Sequence, residues 1–173
     1  MDFLKRADAT LVVVDMQEKL MSAMPEAESG TAVKNVKIFL EAARILNIPI
    51  LVTEQYPKGL GPTIAEIKES AGEGVNPIEK LVFSCARSPE FMDDLIDFRR
   101  GSVLLCGVET HVCVLQTVID LVNDGYRVYV PADAVVSRKE IDWERGIALM
   151  EKAGAVVGTT EAFLFQLLER AGT

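Results

Sequence analysis

Ser102-Val103-Leu104-Leu105-Cys106-Gly107-Val108-Glu109-Thr110-His111-Val112-Cys113 begins as a continuous apolar run, breaks at a glycine and reopens as an apolar segment reaching Asn123. That grammar reads as a strand, a tight turn and a helix, with a thiol in the first helical turn. A helix start carries unsatisfied N–H groups and about half a positive charge, so a cysteine there is biased toward thiolate. A free thiol is only a few per cent ionised at neutral pH, and lowering its pKa by about two units supplies roughly 2.7 kcal/mol. Cys113 is therefore the expected nucleophile, with its pKa below the ordinary thiol range.

Outward from this stretch, apolar runs and helical spacings alternate along the whole chain. Strands are expected at Thr10 to Asp15, Ile48 to Thr53, Lys80 to Phe83, Ser102 to Cys106, Arg127 to Val130 and Ala155 to Val157. Between them, Val33, Val36, Leu40, Ala43 and Leu46 recur at helical steps. Further helices are expected at Pro62 to Ser70, Pro89 to Phe98, Thr110 to Asp124, Glu140 to Ala153 and Thr159 to Ala171, the last three each followed by a glycine. Continuous apolar strands such as Leu11 to Val14 fit a parallel sheet covered on both faces, because each crossover lays a helix on the sheet. The expectation is one domain over residues 1–173: a three-layer α/β/α fold with a six-stranded, mainly parallel sheet. Ligands in such sheets bind at the carboxyl ends of the strands. Asp15, the Thr53 to Pro57 segment and the Gly107 to Cys113 turn then share one rim.

Composition narrows the function. The chain has 18 basic against 26 acidic residues, a formal charge of −8, and no run of Lys and Arg, which points away from nucleic acid and anionic membranes. The apolar run near the N-terminus is short, so neither a signal peptide nor a membrane span is expected, and the reading is cytoplasmic. Cys85, Cys106 and Cys113 have no zinc or redox spacing. His111 is the single histidine, which leaves no support for a multi-histidine metal site or a Ser-His-Asp triad. Two positions along a helix also point His111 away from Cys113. Cys106 reads as a small buried side chain, and Asp133, Ser137 and Arg138 as turn and loop hydrogen-bonding residues.

Asp15 closes the run Leu11 to Val14, where an acid needs a partner. Lys80 heads a short strand next to Glu79. A carboxylate, an ammonium and a thiol on one rim form a coherent nucleophilic system: Asp15 takes the thiol proton while Lys80 stabilises the charged forms.

At this point the chain resembles the isochorismatase-like cysteine hydrolases. The resemblance rests on LVVVDMQ at Leu11 to Gln17, VTEQYPKGLGPT at Val52 to Thr63, EKLVFSC at Glu79 to Cys85, CGVETHVC at Cys106 to Cys113 and PADAVVSR at Pro131 to Arg138. It implies Asp15 as general base and acid, Lys80 as electrostatic partner and Cys113 as nucleophile. It further implies a cis peptide before Glu109, and an oxyanion hole made by the N–H groups of Glu109 and Cys113. The implied reaction is hydrolysis of a small amide or related C–N bond through a thioester.

Where nicotinamidases of that family carry metal-binding histidines, this chain has Glu54, Gln55 and Tyr56, so no metal or cofactor is expected. Leu20 stands where an aromatic residue often follows the catalytic Asp, which favours an aliphatic or small substrate. Leu20, Gln55 and Tyr56 are the expected substrate contacts. Alternatives are vinyl-ether hydrolysis, a non-catalytic binding or scaffold protein on the same fold, and redox sensing by Cys113 with Cys85. The apolar C-terminal helix, with Phe163, Leu164, Phe165, Leu167 and Leu168, and the resemblance together point to a homo-oligomer.

Overall fold

A computed structural model describes residues 2–172. Its centre is strand β1 (Ala9–Val14), in which every residue is buried. Alternate side chains of β1 enter opposite layers: Leu11 and Val13 pack with Val36, Phe39 and Leu40, while Val12 and Val14 pack with Phe91, Leu95 and Val118. Each such side chain withdrawn from water contributes about 1.5–3 kcal/mol, and this two-sided burial fixes β1 as the middle of the molecule.

The chain proceeds through α1 (Glu18–Met21), α2 (Glu26–Leu46), β2 (Ile50–Gln55), α3 (Pro57–Leu60), α4 (Ala65–Ala71), β3 (Ile78–Lys80), α5 (Pro89–Asp97) and β4 (Ser102–Val108). It continues through α6 (Leu115–Asn123), β5 (Arg127–Pro131), β6 (Val135–Val136), α7 (Glu140–Ala153), β7 (Val156–Gly158) and α8 (Thr160–Leu168). The sheet order is β3-β2-β1-β4-β5-β7, with β6 paired to β4, and all its strand pairs are parallel. Sequence order reverses between β1 and β4, which opens a crevice at their carboxyl ends.

Differences from the sequence expectation are local. β6 is a seventh strand, too short at Val135–Val136 to show a periodicity. Lys80 ends β3 rather than beginning it, because Leu81 to Phe83 turn outward and are exposed. Helix α2 ends at Asn47 with φ of 55° and α7 at Gly154 with φ of 106°, both left-handed stops. On α8, Phe163 and Leu167 are buried and Phe165 is exposed, so part of its apolar circumference already packs on the sheet.

Candidate active site

Three strand ends build the site. After β1 the backbone turns sharply at Asp15, whose φ of 50° lies in a region that Asp tolerates better than most residues. The Asp15 N–H donates to the Thr53 carbonyl at 3.2 Å, which ties this turn to β2. On β2 and β3, Gln55 and Lys80 are direct partners in the parallel register. On β4, Gly107 adopts φ of 117°, and a Cβ there would run into the Val14 backbone carbonyl. The Val108–Glu109 peptide is cis.

The Lys80 ammonium lies 2.7 Å from Asp15 Oδ2, and both side chains are fully excluded from solvent. Thr53 donates its hydroxyl to Asp15 Oδ1 at 2.7 Å, so both carboxylate oxygens are engaged. Lys80 Nζ also donates to Gln55 Oε1 at 2.8 Å, to the Phe83 carbonyl at 3.1 Å and to the Val82 carbonyl at 3.3 Å. A buried charge needs this density of partners. Burial works to lower the lysine's pKa, but the Asp15 charge, with smaller help from Cys85 and Cys113, outweighs it and holds Lys80 above its ordinary value.

Cys113 lies on the π-helical turn Thr110–Val114 that precedes α6, and its thiol is near enough to the Asp15 carboxylate to feel its charge. The expectation of a lowered thiol pKa is overturned here. Burial pushes the thiol up, the Asp15 negative charge pushes further, and the Lys80 charge offsets only part of this. The helix-start argument fails because Cys113 is 6% exposed and faces a carboxylate. At rest the group is a thiol near a carboxylate, an arrangement that allows proton transfer to Asp15 as sulfur forms a new bond.

Cys85, which begins a short 3-10 turn after β3, is fully buried, 3.7 Å from Thr53 Oγ1. Burial raises its pKa to about 11, and the Asp15 charge adds to this. Thr117 joins the two cysteines: its Oγ1 accepts from Cys85 N–H at 2.9 Å and donates to the Cys113 carbonyl at 2.7 Å. Sequence reading put Thr53 on the rim without a role and missed Thr117, because Thr is common in strands and helices. Only the register beside Asp15, and the i to i+4 spacing from Cys113, mark them.

The expected substrate contacts divide. Gln55 is buried with its side chain committed to Lys80 and to the Leu81 carbonyl, so the structure turns it away from the role of a free rim contact. Tyr56 is 52% exposed on the rim. Leu20 is partly buried against the α2-side core. Glu109 places its carboxylate on Arg138, with Oε2 3.0 Å from Nε, and Ser137 Oγ lies 2.9 Å from His111 Nδ1. Residues 137 and 138 thus brace the turn that carries Cys113. Ser137 also borders a cleft of about 460 Å³ with Glu28, Asp133, Val136 and Trp143, and Asp15, Lys80 and Cys113 are not among its lining. Proximity of the charged groups, rather than cavity size, marks the candidate site. Among the described residues, no group of three or more His, Cys, Asp and Glu side chains is placed to hold a metal. No helix among them is long and apolar enough to cross a membrane.

Sheet order and site together define a doubly wound α/β protein with a carboxylate, an ammonium and a thiol gathered at its switch point. The chain belongs to the isochorismatase family: the family's "Isochorismatase domain" matches residues 9–162. Isochorismatase domain-containing protein 2A from Mus musculus is 39% identical over 163 residues, 93% of this chain and 75% of that one. Among solved structures, MAR1 ribonuclease from Caenorhabditis elegans is 38% identical with a TM-score of 0.92, covering 99% of this chain and 86% of that one. The YcaC gene product from Escherichia coli, an octameric hydrolase of unknown specificity, shares the fold at a TM-score of 0.91 and 24% identity, over 98% and 84% of the two chains.

Proposed function

We propose that this chain is a cysteine-dependent hydrolase of a small amide or related C–N bond. The observation that carries the reading is the buried Asp15 carboxylate, paired with the Lys80 ammonium and acting by its charge on the nearby Cys113 thiol. In the reaction, the Cys113 proton passes to Asp15 as sulfur attacks the amide carbon. The developing oxyanion is taken by the N–H groups of Glu109 and Cys113. Asp15 returns the proton to the departing amine, leaving a thioester. Water then attacks the thioester with Asp15 again as base, releasing the acid and restoring the thiol. Lys80 steadies the charge on Asp15 and sulfur throughout, and no metal or cofactor is invoked.

Tyr56, on the rim, and Leu20 are proposed to meet the substrate. The whole chain acts as one catalytic domain. A cytoplasmic setting fits three buried free thiols, and a homo-oligomer fits the exposed Phe165 together with the octameric E. coli relative. Purified protein is tested against a panel of small amides, with product amine measured. Turnover that disappears in Cys113→Ala is the expected result, and turnover unchanged in that variant overturns the nucleophile assignment. The name of the C. elegans neighbour sets a second reading, cleavage of RNA. Against it stands the charge of −8, since phosphate-backbone binding draws on Lys and Arg. RNA degradation by the wild type that vanishes in Cys113→Ala would favour that reading.

A further inference from the structure

Gln55 was expected to touch substrate, and its surroundings give it a different task. Its buried amide is oriented by its partners: Lys80 can only donate, so Oε1 faces Nζ at 2.8 Å, and the Leu81 carbonyl can only accept, so Nε2 faces that oxygen at 2.9 Å. Neither a carboxylate nor an apolar side chain of that length satisfies both neighbours. The backbone of Gln55 is itself gripped by one side chain. Its N–H donates to Gln17 Oε1 at 2.7 Å, while Gln17 Nε2 donates to the Gln55 carbonyl at 3.0 Å and to the Gly61 carbonyl at 2.7 Å. Gln17 lies two residues beyond Asp15. The acid and the lysine are therefore joined twice, once directly and once through Gln17 and Gln55.

We propose that Gln55 is a positioning residue, clamped by Gln17, that fixes where the Lys80 ammonium stands relative to Asp15 and the Cys113 thiol. The proposal rests on the reading of Cys113 as nucleophile. Of the four acceptors around Lys80, two are carbonyls of the outward-turning segment Leu81 to Phe83 and one is Asp15, whose charge changes when it takes the thiol proton. Gln55 Oε1 is the acceptor on a sheet strand whose charge stays constant through that transfer. It holds the ammonium in place at the moment the Asp15 charge is neutralised.

The test is the second-order rate of Cys113 alkylation by iodoacetamide as a function of pH, read at the Cys113 peptide by mass spectrometry in the intact protein. The charged and titratable groups facing that thiol are Asp15, Lys80 and Cys85. Gln55→Met keeps the length and removes both hydrogen bonds. It is expected to slow alkylation at neutral pH about tenfold and to raise the midpoint of the pH profile by about one unit. Gln17→Met loosens the clamp without touching Lys80 and is expected to move both in the same direction by a smaller amount. It also serves as the second variant if Gln55→Met fails to fold.

A role in stability alone would lower the melting temperature and leave the midpoint where it is. Variants that fold with rate and midpoint unchanged overturn the proposal. Amide turnover by the wild type that is unchanged in Cys113→Ala overturns the nucleophile reading instead. A reactive Cys113 indifferent to both glutamines overturns only the positioning role.

Discussion

Two aspartates flank the central strand, and they illustrate what burial does to one residue type. Asp8, just before β1, accepts from the Gly101 N–H at 2.8 Å, the Ser102 hydroxyl at 2.7 Å and the Arg127 guanidinium at 2.6 Å, with its side chain 35% exposed. Asp15, just after β1, accepts from Thr53 and Lys80 and is fully buried beside a thiol. The amino end is a solvated staple whose guanidinium can find water if the carboxylate is lost. At the carboxyl end no water stands in for a missing partner, and the charge is held beside the Cys113 thiol. A parallel sheet fastens its strands at one end and concentrates chemistry at the other.

The sharpest way to break this comparison is to remove each charge in turn. Asp15→Asn keeps the shape and strands a buried ammonium, which is expected to cost about 3–5 kcal/mol. At about 2–4 °C per kcal/mol for a chain of this size, the melting temperature should fall by roughly 6–20 °C in a calorimetric scan. The double variant Asp15→Asn with Lys80→Met should recover at least half of that loss while remaining without Cys113 reactivity. A single variant as stable as wild type would mean that the carboxyl end is no more demanding than the amino end.

Glycines sharpen the same contrast. Gly107 needs its positive φ and sits against the Val14 carbonyl, so Gly107→Ala is expected to destabilise by about 2–4 kcal/mol through strain and overpacking. At the other end of the same strand pair, a Cβ on Gly101 would make only ordinary contact with the Asp8 carboxylate at 3.5 Å, and Gly101→Ala should stay within about 1 kcal/mol. Urea midpoints of the two variants check this directly.

How much of this was legible in the sequence follows the same division. Periodicity reports where side chains are buried on both faces, so β1, β4 and the alternation of strands with helices could be read directly. Strand ends on one rim suggested grouping Asp15, Lys80 and Cys113, and the resemblance gave them roles. The state of the thiol was not readable, because the sequence shows a helix start and not how deeply the thiol is buried, nor that the Asp15 charge outweighs that of Lys80 there. That the Gln55 side chain is bonded to Lys80 and to the Leu81 carbonyl was not readable, because it depends on the register with Lys80, which no local pattern encodes. Asp8 drew no notice at all, since its partners lie 93 to 119 residues away.

The smallest expected effect separates the two ends by pH. Burial alone would raise the Asp8 pKa, but hydrogen bonds from Gly101, Ser102 and Arg127 outweigh it and hold it below 3.8. The folded state thus prefers the carboxylate, and this stabilisation is present above the unfolded value and lost as pH falls through the folded one. Lys80 is held above 10.5 despite its burial, chiefly by the Asp15 charge, so its stabilisation is complete below that value and fades as pH rises beyond it. Acid should therefore weaken the amino end and alkali the carboxyl end. In urea titrations, Asp8→Asn should flatten the decline in stability below about pH 4 and leave the alkaline limb unchanged. Asp15→Asn should flatten the alkaline limb above about pH 10.5, because the lysine has lost the partner that raised it. A flattened alkaline limb in Asp8→Asn would show that the two ends of β1 are coupled through the strand, and the division between staple and site would fall.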